Sequence, residues 1–250
     1  MKVDWGPLRA ELALWRAERL SLGLWWRDDD ATAPSVALDR LLALGAALGL
    51  PPHLAVIPQA AEPVLAQHLG REAVALVHGW AHQNYAPEGA KKAEFGHPRD
   101  EALQEAQKAL ARMTALFGAS LLPMFVPPWN RIAPDITAGL SHLGYTALST
   151  YTPRGAREVA GLVQINTHVD PIHWKAGGGL LAPETVVNSA LATLIARRKG
   201  AQDTAEPLGF LTHHLVHDEE IWTFTRMFLS EMLDAGALPL NLLERKDDLP

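Results

Sequence analysis

Short apolar runs alternate with amphipathic stretches along this chain, and that alternation limits the folds open to it. Residues 22–26, 53–57, 73–77, 123–126, 145–149, 162–165 and 208–211 read as buried strands, rich in Leu, Val, Ile and aromatic residues. Between them, 34–48, 62–69, 100–117, 135–143, 184–198 and 219–235 carry apolar residues every three or four positions, as helices do, and 7–20 does the same ahead of the first strand. Pro34 suits a helix start, and Gly70, Gly118 and Gly144 suit helix ends. Strands of this kind, each followed by a helix, build a parallel sheet covered by helices. The expected fold is therefore α/β, a distorted (β/α) barrel of about seven parallel strands, with the doubly wound open sheet as the alternative. No repeat, low-complexity tract or linker interrupts the pattern, so residues 1–250 are expected to form a single domain. The segment 83–96 is polar and longer than most connections, which suggests a lid or binding loop.

Composition excludes several classes of function. The net charge is −6, and no Lys/Arg cluster accompanies an aromatic strip, so nucleic acid is not an expected partner. There is no cysteine, hence no disulfide, thiolate metal site or cysteine nucleophile. No apolar run is long enough for a membrane span, and residues 1–20 lack the pattern of a signal peptide. The expected location is cytoplasmic. The oligomeric state is not legible.

Polar residues gather where the strands end. Asp28, Asp29 and Asp30 follow the first strand, and His78 and His82 the third. Trp129, Asn130 and Arg131 follow the fourth, His168, Asp170, His173 and Trp174 the sixth, and His213, His214 and His217 the seventh. In a parallel sheet these ends share one face, where active sites form. His78 and His82 are four residues apart, and on a helical turn both rings would face one ion. With Asp29 they make a three-ligand set suited to a divalent metal, zinc above others, with a position left for water. His213 with His217 and His168 with His173 are rival pairs with weaker carboxylate partners. Asp30 alone also suits a helix N-cap.

In this order the clusters resemble the motifs of the polysaccharide deacetylases, carbohydrate esterase family 4. Trp26-Arg27-Asp28-Asp29-Asp30 is similar to the first motif and His78-Gly79-Trp80-Ala81-His82 to the second. Phe125-Val126-Pro127-Pro128-Trp129 is similar to the third, Asp170-Pro171-Ile172-His173-Trp174 to the fourth, and Leu211-Thr212-His213 to the fifth. The resemblance spans Leu24 to His217. It implies that Asp28 is the general base, that Asp29, His78 and His82 hold the metal, and that His213 is the general acid, with His214 as its runner-up. It implies that Asp170 orients His213, that Trp129 and Trp174 shape the acyl pocket, and that backbone near Trp129 meets the developing oxyanion. Pro128 and Arg131 complete the expected substrate contacts. The chain departs from the pattern at Val126, where the family has an Arg that pairs with the base; Arg27 and Arg131 are the candidates to replace it. It departs also at Asp30, where the family has Gly, and at Gly79, where it has Ser or Thr. The implied activity is removal of N-acetyl groups from an amino sugar by a metal-bound water. The alternatives are hydrolysis of a small or cyclic amide at the same site, and a sugar-binding homologue without activity.

Overall fold

A computed structural model describes residues Met1–Pro250. The strands are β1 Gly23–Ala31, β2 Pro52–Val56, β3 Val74–His78, β4 Leu121–Val126, β5 Ala147–Leu148, β6 Glu158–Val159, β7 Leu162–Gln164, β8 Leu208–Thr212 and β9 Leu238–Pro239. The helices are α1 Gly6–Ala17, α2 Val36–Leu48, α3 Pro63–Leu69, α4 Ala102–Phe117, α5 Pro134–Leu140, α6 Pro183–Arg198 and α7 Glu219–Asp234. All the strands join one sheet in the order β6-β7-β5-β4-β3-β2-β1-β8, with β9 also on β1. Every pairing is parallel except β6 with β7. The mixed α/β architecture is the expected one, and each apolar run overlaps a strand, the run at 145–149 only through Ala147–Leu148. The short strands β6 and β9 carry too little apolar pattern to be seen in advance.

The sheet curls into a half-barrel. Past β7, Thr167 bridges Tyr151 and Val169 bridges Phe210 of β8, so the edges meet through single bridges rather than a continuous ladder. Strand side chains alternate between two faces, and the two faces bury different cores. Leu24, Trp26, Leu54, Val77, Phe125 and Phe210 pack outward under the helices. Trp25, Ala55, Leu76, Met124, Val126 and Ile165 pack inward, and Leu240, Leu242 and Leu249 from the C-terminal segment join them. No helix is long and apolar enough to cross a membrane.

His53 ties that C-terminal segment to the sheet. Its Nδ1–H donates to the carbonyl of Trp26 (3.1 Å), and its Nε2 accepts from the backbone N–H of Leu242 (3.0 Å). Both bonds require the neutral ring. Burial pushes its pKa from 6.5 down to about 4, against the raising effect of the Trp26 carbonyl. The unfolded chain therefore takes up the proton first as pH falls. The contribution of His53 is intact above pH 6.5 and is lost between 6.5 and about 4, by about 3 kcal/mol in all. Urea unfolding at pH 7.5, 5.5 and 4.5 should show a steeper loss of stability in the wild type than in His53→Gln. Parallel slopes would exclude this ring as a source of the acid sensitivity.

Candidate active site

β1 continues through all three aspartates, whereas the apolar pattern stops at Trp26. That extension reassigns the acids. In an extended strand adjacent side chains point to opposite faces, so Asp28 and Asp29 cannot both face the mouth of the sheet. Asp28 follows Trp26 outward and is fully buried. It accepts hydrogen bonds from Thr212 Oγ1 (2.6 Å), from the backbone N–H of His214 (2.9 Å) and from the His214 ring. Burial works to raise its pKa, but the adjacent His214 and these hydrogen bonds hold it below the usual carboxylate range, while the same carboxylate holds His214 up. Asp28 therefore does not reach the pocket in which a general base would act. His214, the runner-up for the acid, is spent on the same buried pair.

Asp29 follows Arg27 inward, and the two form a bidentate pair, Nε to Oδ1 at 2.9 Å and Nη2 to Oδ2 at 3.0 Å. Arg27 is fully buried, and its remaining N–H groups go to Ser149 Oγ (2.7 Å), the Thr150 carbonyl (3.3 Å) and Asn130 Oδ1 (2.6 Å). All five donors of the guanidinium are thus satisfied, the condition under which a buried charge is tolerated. Of the two candidates for the guanidinium missing at position 126, Arg27 is the one that pairs with a strand-end carboxylate, and Val126 packs into the inner core. Arg131 instead donates to the Lys92 carbonyl (2.6 Å).

After Asp29 the ladder to β2 slips, and Asp30 has φ +75°. This bulge turns a second consecutive carboxylate toward the mouth, which a regular strand forbids. Asp30 Oδ1 lies 3.1 Å from His78 Nε2 and 3.3 Å from His82 Nε2, and one ligand atom from each of the three residues lies within 4.8 Å of the others. The candidate metal set is Asp30, His78 and His82. This corrects the expectation of Asp29: the extra acid at the family's Gly position is the one that meets the imidazoles. The donors fit a divalent ion, since His78 Nδ1–H donates to the Val126 carbonyl (2.9 Å) and so leaves the Nε2 lone pair facing Asp30. Burial acts against the charged His78 ring, yet Asp29 and Asp30 together hold its pKa up.

The two imidazoles are not brought together by a helical turn. His78 ends β3, Gly79 turns at φ +56°, and His82 itself sits at φ +56° with its ring 5.1 Å from that of His78. Glu94 holds this loop, a residue that sequence reasoning missed. Its buried carboxylate accepts from the backbone N–H groups of Ala81 (2.7 Å), Trp80 (3.2 Å) and His82 (3.2 Å). A Cβ on Gly79 would fall 2.2 Å from Glu94 Oε2 and 2.5 Å from Pro128 Cδ, so only glycine fits there. The segment expected to be a polar lid is in this part structural: Ala93, Glu94 and Phe95 are buried, and Phe95 bridges Ile132. The available signal was an acid flanked by Ala and Phe. Glu94→Ala should weaken binding of a divalent ion at the candidate triad roughly 10–100-fold, the usual cost of removing a group that orients a ligand. Competition with a chromophoric chelator measures this, and unchanged affinity would deny Glu94 the role.

The remaining residues surround a cavity of about 550 Å³. Trp129 and Asn130 occupy left-handed backbone at φ +57° and +56°, common for Asn but not for Trp. Such strain is characteristic of functional sites. The turn sets the Trp129 ring 4.3 Å from that of His82. His213 lines the same cavity, with Nε2 4.0 Å from Asp29 Oδ2 and its ring edge-on to Trp174 at 4.7 Å. Asp170 does not hydrogen-bond His213. Its oxygens accept from Trp174 Nε1 and the Ile172 N–H, both at 2.8 Å, so it orients His213 only through Trp174. Burial raises the Asp170 pKa, and the nearby His213 opposes that rise. His168 belongs to a separate buried network with Arg197 and Glu206, and His217 meets the Trp222 ring edge-on at 4.5 Å. Neither rival pair forms a metal site.

The chain matches no protein-family model and no curated sequence. Solved structures do match it over nearly its whole length. A protein from Mycobacterium smegmatis assigned as a polysaccharide deacetylase superposes with a TM-score of 0.67 at 14% identity, covering 92% of this chain and 90% of its own. A peptidoglycan N-acetylglucosamine deacetylase gives 0.56 at 12% identity, covering 89% and 91%. A family 4 acetyl xylan esterase from Clostridium thermocellum, solved with a cobalt ion, gives 0.51 at 14% identity, covering 91% and 92%. The chain thus has the curled, mostly parallel fold of the family 4 carbohydrate esterases, the polysaccharide deacetylases, in a sequence far diverged from theirs.

Proposed function

We propose that this protein is a metal-dependent deacetylase that releases acetate from an N-acetylated amino sugar. One observation carries the proposal: a single cavity presents the triad Asp30, His78 and His82, a separate carboxylate on Asp29, and an imidazole on His213. The donor set suits zinc among the common divalent ions.

An ion held there would polarise the acyl carbonyl and make water a better nucleophile. Asp29 is the proposed base and takes the proton as the water oxygen bonds to the acyl carbon. Arg27 keeps Asp29 in place and offsets its charge throughout. His213, its Nε2 4.0 Å from Asp29 Oδ2, gives a proton to the nitrogen as the C–N bond breaks, so that the amine and acetate leave. Trp129 and Trp174 flank the acyl group, and the left-handed turn at Trp129 is the proposed oxyanion contact.

The experiment is acetate release from N-acetylglucosamine oligosaccharides, N-acetylglucosamine and small acetamides. Zinc or cobalt should support turnover of the sugars, a chelator should abolish it, and the metal should restore it. Turnover of the small amides alone would replace the sugar reading with the amide one. No acetate from any substrate with either metal would reject hydrolysis.

A further inference from the structure

A second cavity of about 590 Å³ adjoins the first, and Asn130 and Arg131 line both. The two chambers differ in charge. The metal cavity holds Asp29, Asp30 and Asp170. The second is lined by Lys91, Arg131 and His97 and by no Asp or Glu, although acids outnumber bases in the chain as a whole. Seven of the other fourteen arginines pair with carboxylates. Arg131 pairs with none and spends one donor on the Lys92 carbonyl, and Lys91 has no acidic partner. Thr150 and Gln164 add neutral hydrogen-bonding groups to the same wall. A guanidinium and an ammonium facing one cavity without counter-charge match a carboxylate or a phosphate, which they bind by charge-assisted hydrogen bonds.

We propose that this chamber holds an anionic group of the substrate, so that the amino sugar processed at the metal carries a carboxylate or phosphate. The assignment rests on the deacetylase reading for the word substrate and on the cavity alone for the anion. Arg131, in the shared wall, would touch the ligand between its acyl end and its anionic end. Lys91 would meet the anionic end from the loop that Glu94 anchors.

Calorimetry on the zinc-loaded full chain tests this with sugars that cannot be turned over: glucosamine, glucosamine 6-phosphate and muramic acid. At least one charged sugar should bind about tenfold or more tightly than glucosamine, a preference typical of charge-assisted recognition. Tighter binding of the 6-phosphate names a phosphate, and tighter binding of muramic acid a carboxylate. The preference should vanish in the double variant Lys91→Gln/Arg131→Gln, and persist in Lys108→Gln on α4. Equal binding of all three by the wild type overturns the proposal, as does a preference that survives the double variant. A preference seen in a protein that releases no acetate from any acetylated sugar upholds the anion chamber and rejects hydrolysis, so the two failures are distinct.

Discussion

Asp30→Ala should purify without bound metal and without measurable turnover, while Asp28→Asn keeps its ion. Asp30 supplies the only carboxylate oxygen grouped with the two imidazoles. Its removal leaves two neutral ligands and a half-open site, so affinity should fall by more than the roughly 10–100-fold lost when a merely orienting group is removed. Asp28 is fully buried on the opposite face, bound to Thr212 and His214. Replacing it should act on stability and not on metal content. It breaks a buried, hydrogen-bonded charge pair, a change that costs about 3–5 kcal/mol. Elemental analysis of both variants, with urea unfolding alongside, separates the effects. One equivalent of zinc retained by Asp30→Ala would sink the metal assignment and, with it, the role given to the bulge.

Asp29→Asn should show the reverse: metal retained, turnover lost. The carboxylate is bound to Arg27, not to the imidazoles, and lies 4.0 Å from His213. Loss of a general base lowers the rate by roughly 10²–10⁴-fold. Asn keeps one acceptor for Arg27, yet leaves that buried guanidinium without its counter-charge, so a lower unfolding midpoint should accompany the loss. Zinc content and kcat measured on the same preparation decide the matter. A variant that loses zinc along with activity would return Asp29 to the ligand set. One that keeps both would leave the reaction without its base.

Much of this protein was legible in its residues. The apolar runs located β1, β2, β3, β4 and β8, because a strand buried on both faces must be apolar throughout. The polar groups after β3, β4 and β8 were placed on one face because parallel strands all end there. Both histidines of the candidate metal set were identified in this way, and of the neighbouring pair it is His213, not His214, that lines the cavity. The three aspartates were not resolved correctly. The apolar run stops at Trp26, but β1 runs on through Arg27, Asp28 and Asp29, because Arg27 and Asp29 neutralise each other within the strand and Asp28 is held by Thr212 and His214. Nothing in the local pattern reports a salt bridge to a neighbour two residues away, or a hydrogen bond to Thr212 on a strand about 180 residues later. Glu94 escaped for the same reason. An acid in a polar loop looks solvated until its three N–H partners fold around it.

The residues alone determined the α/β class, the strand-end face and the kinds of group that meet there, because those follow from periodicity and from the chemistry of each side chain. Only the tertiary structure decided where each aspartate points and what it meets. In an extended strand one residue of register sends a carboxylate to the opposite side of the sheet, and a single left-handed bulge at Asp30 sends it back. That choice is settled by the pairing of β1 with its neighbours and by the buried partners on either face.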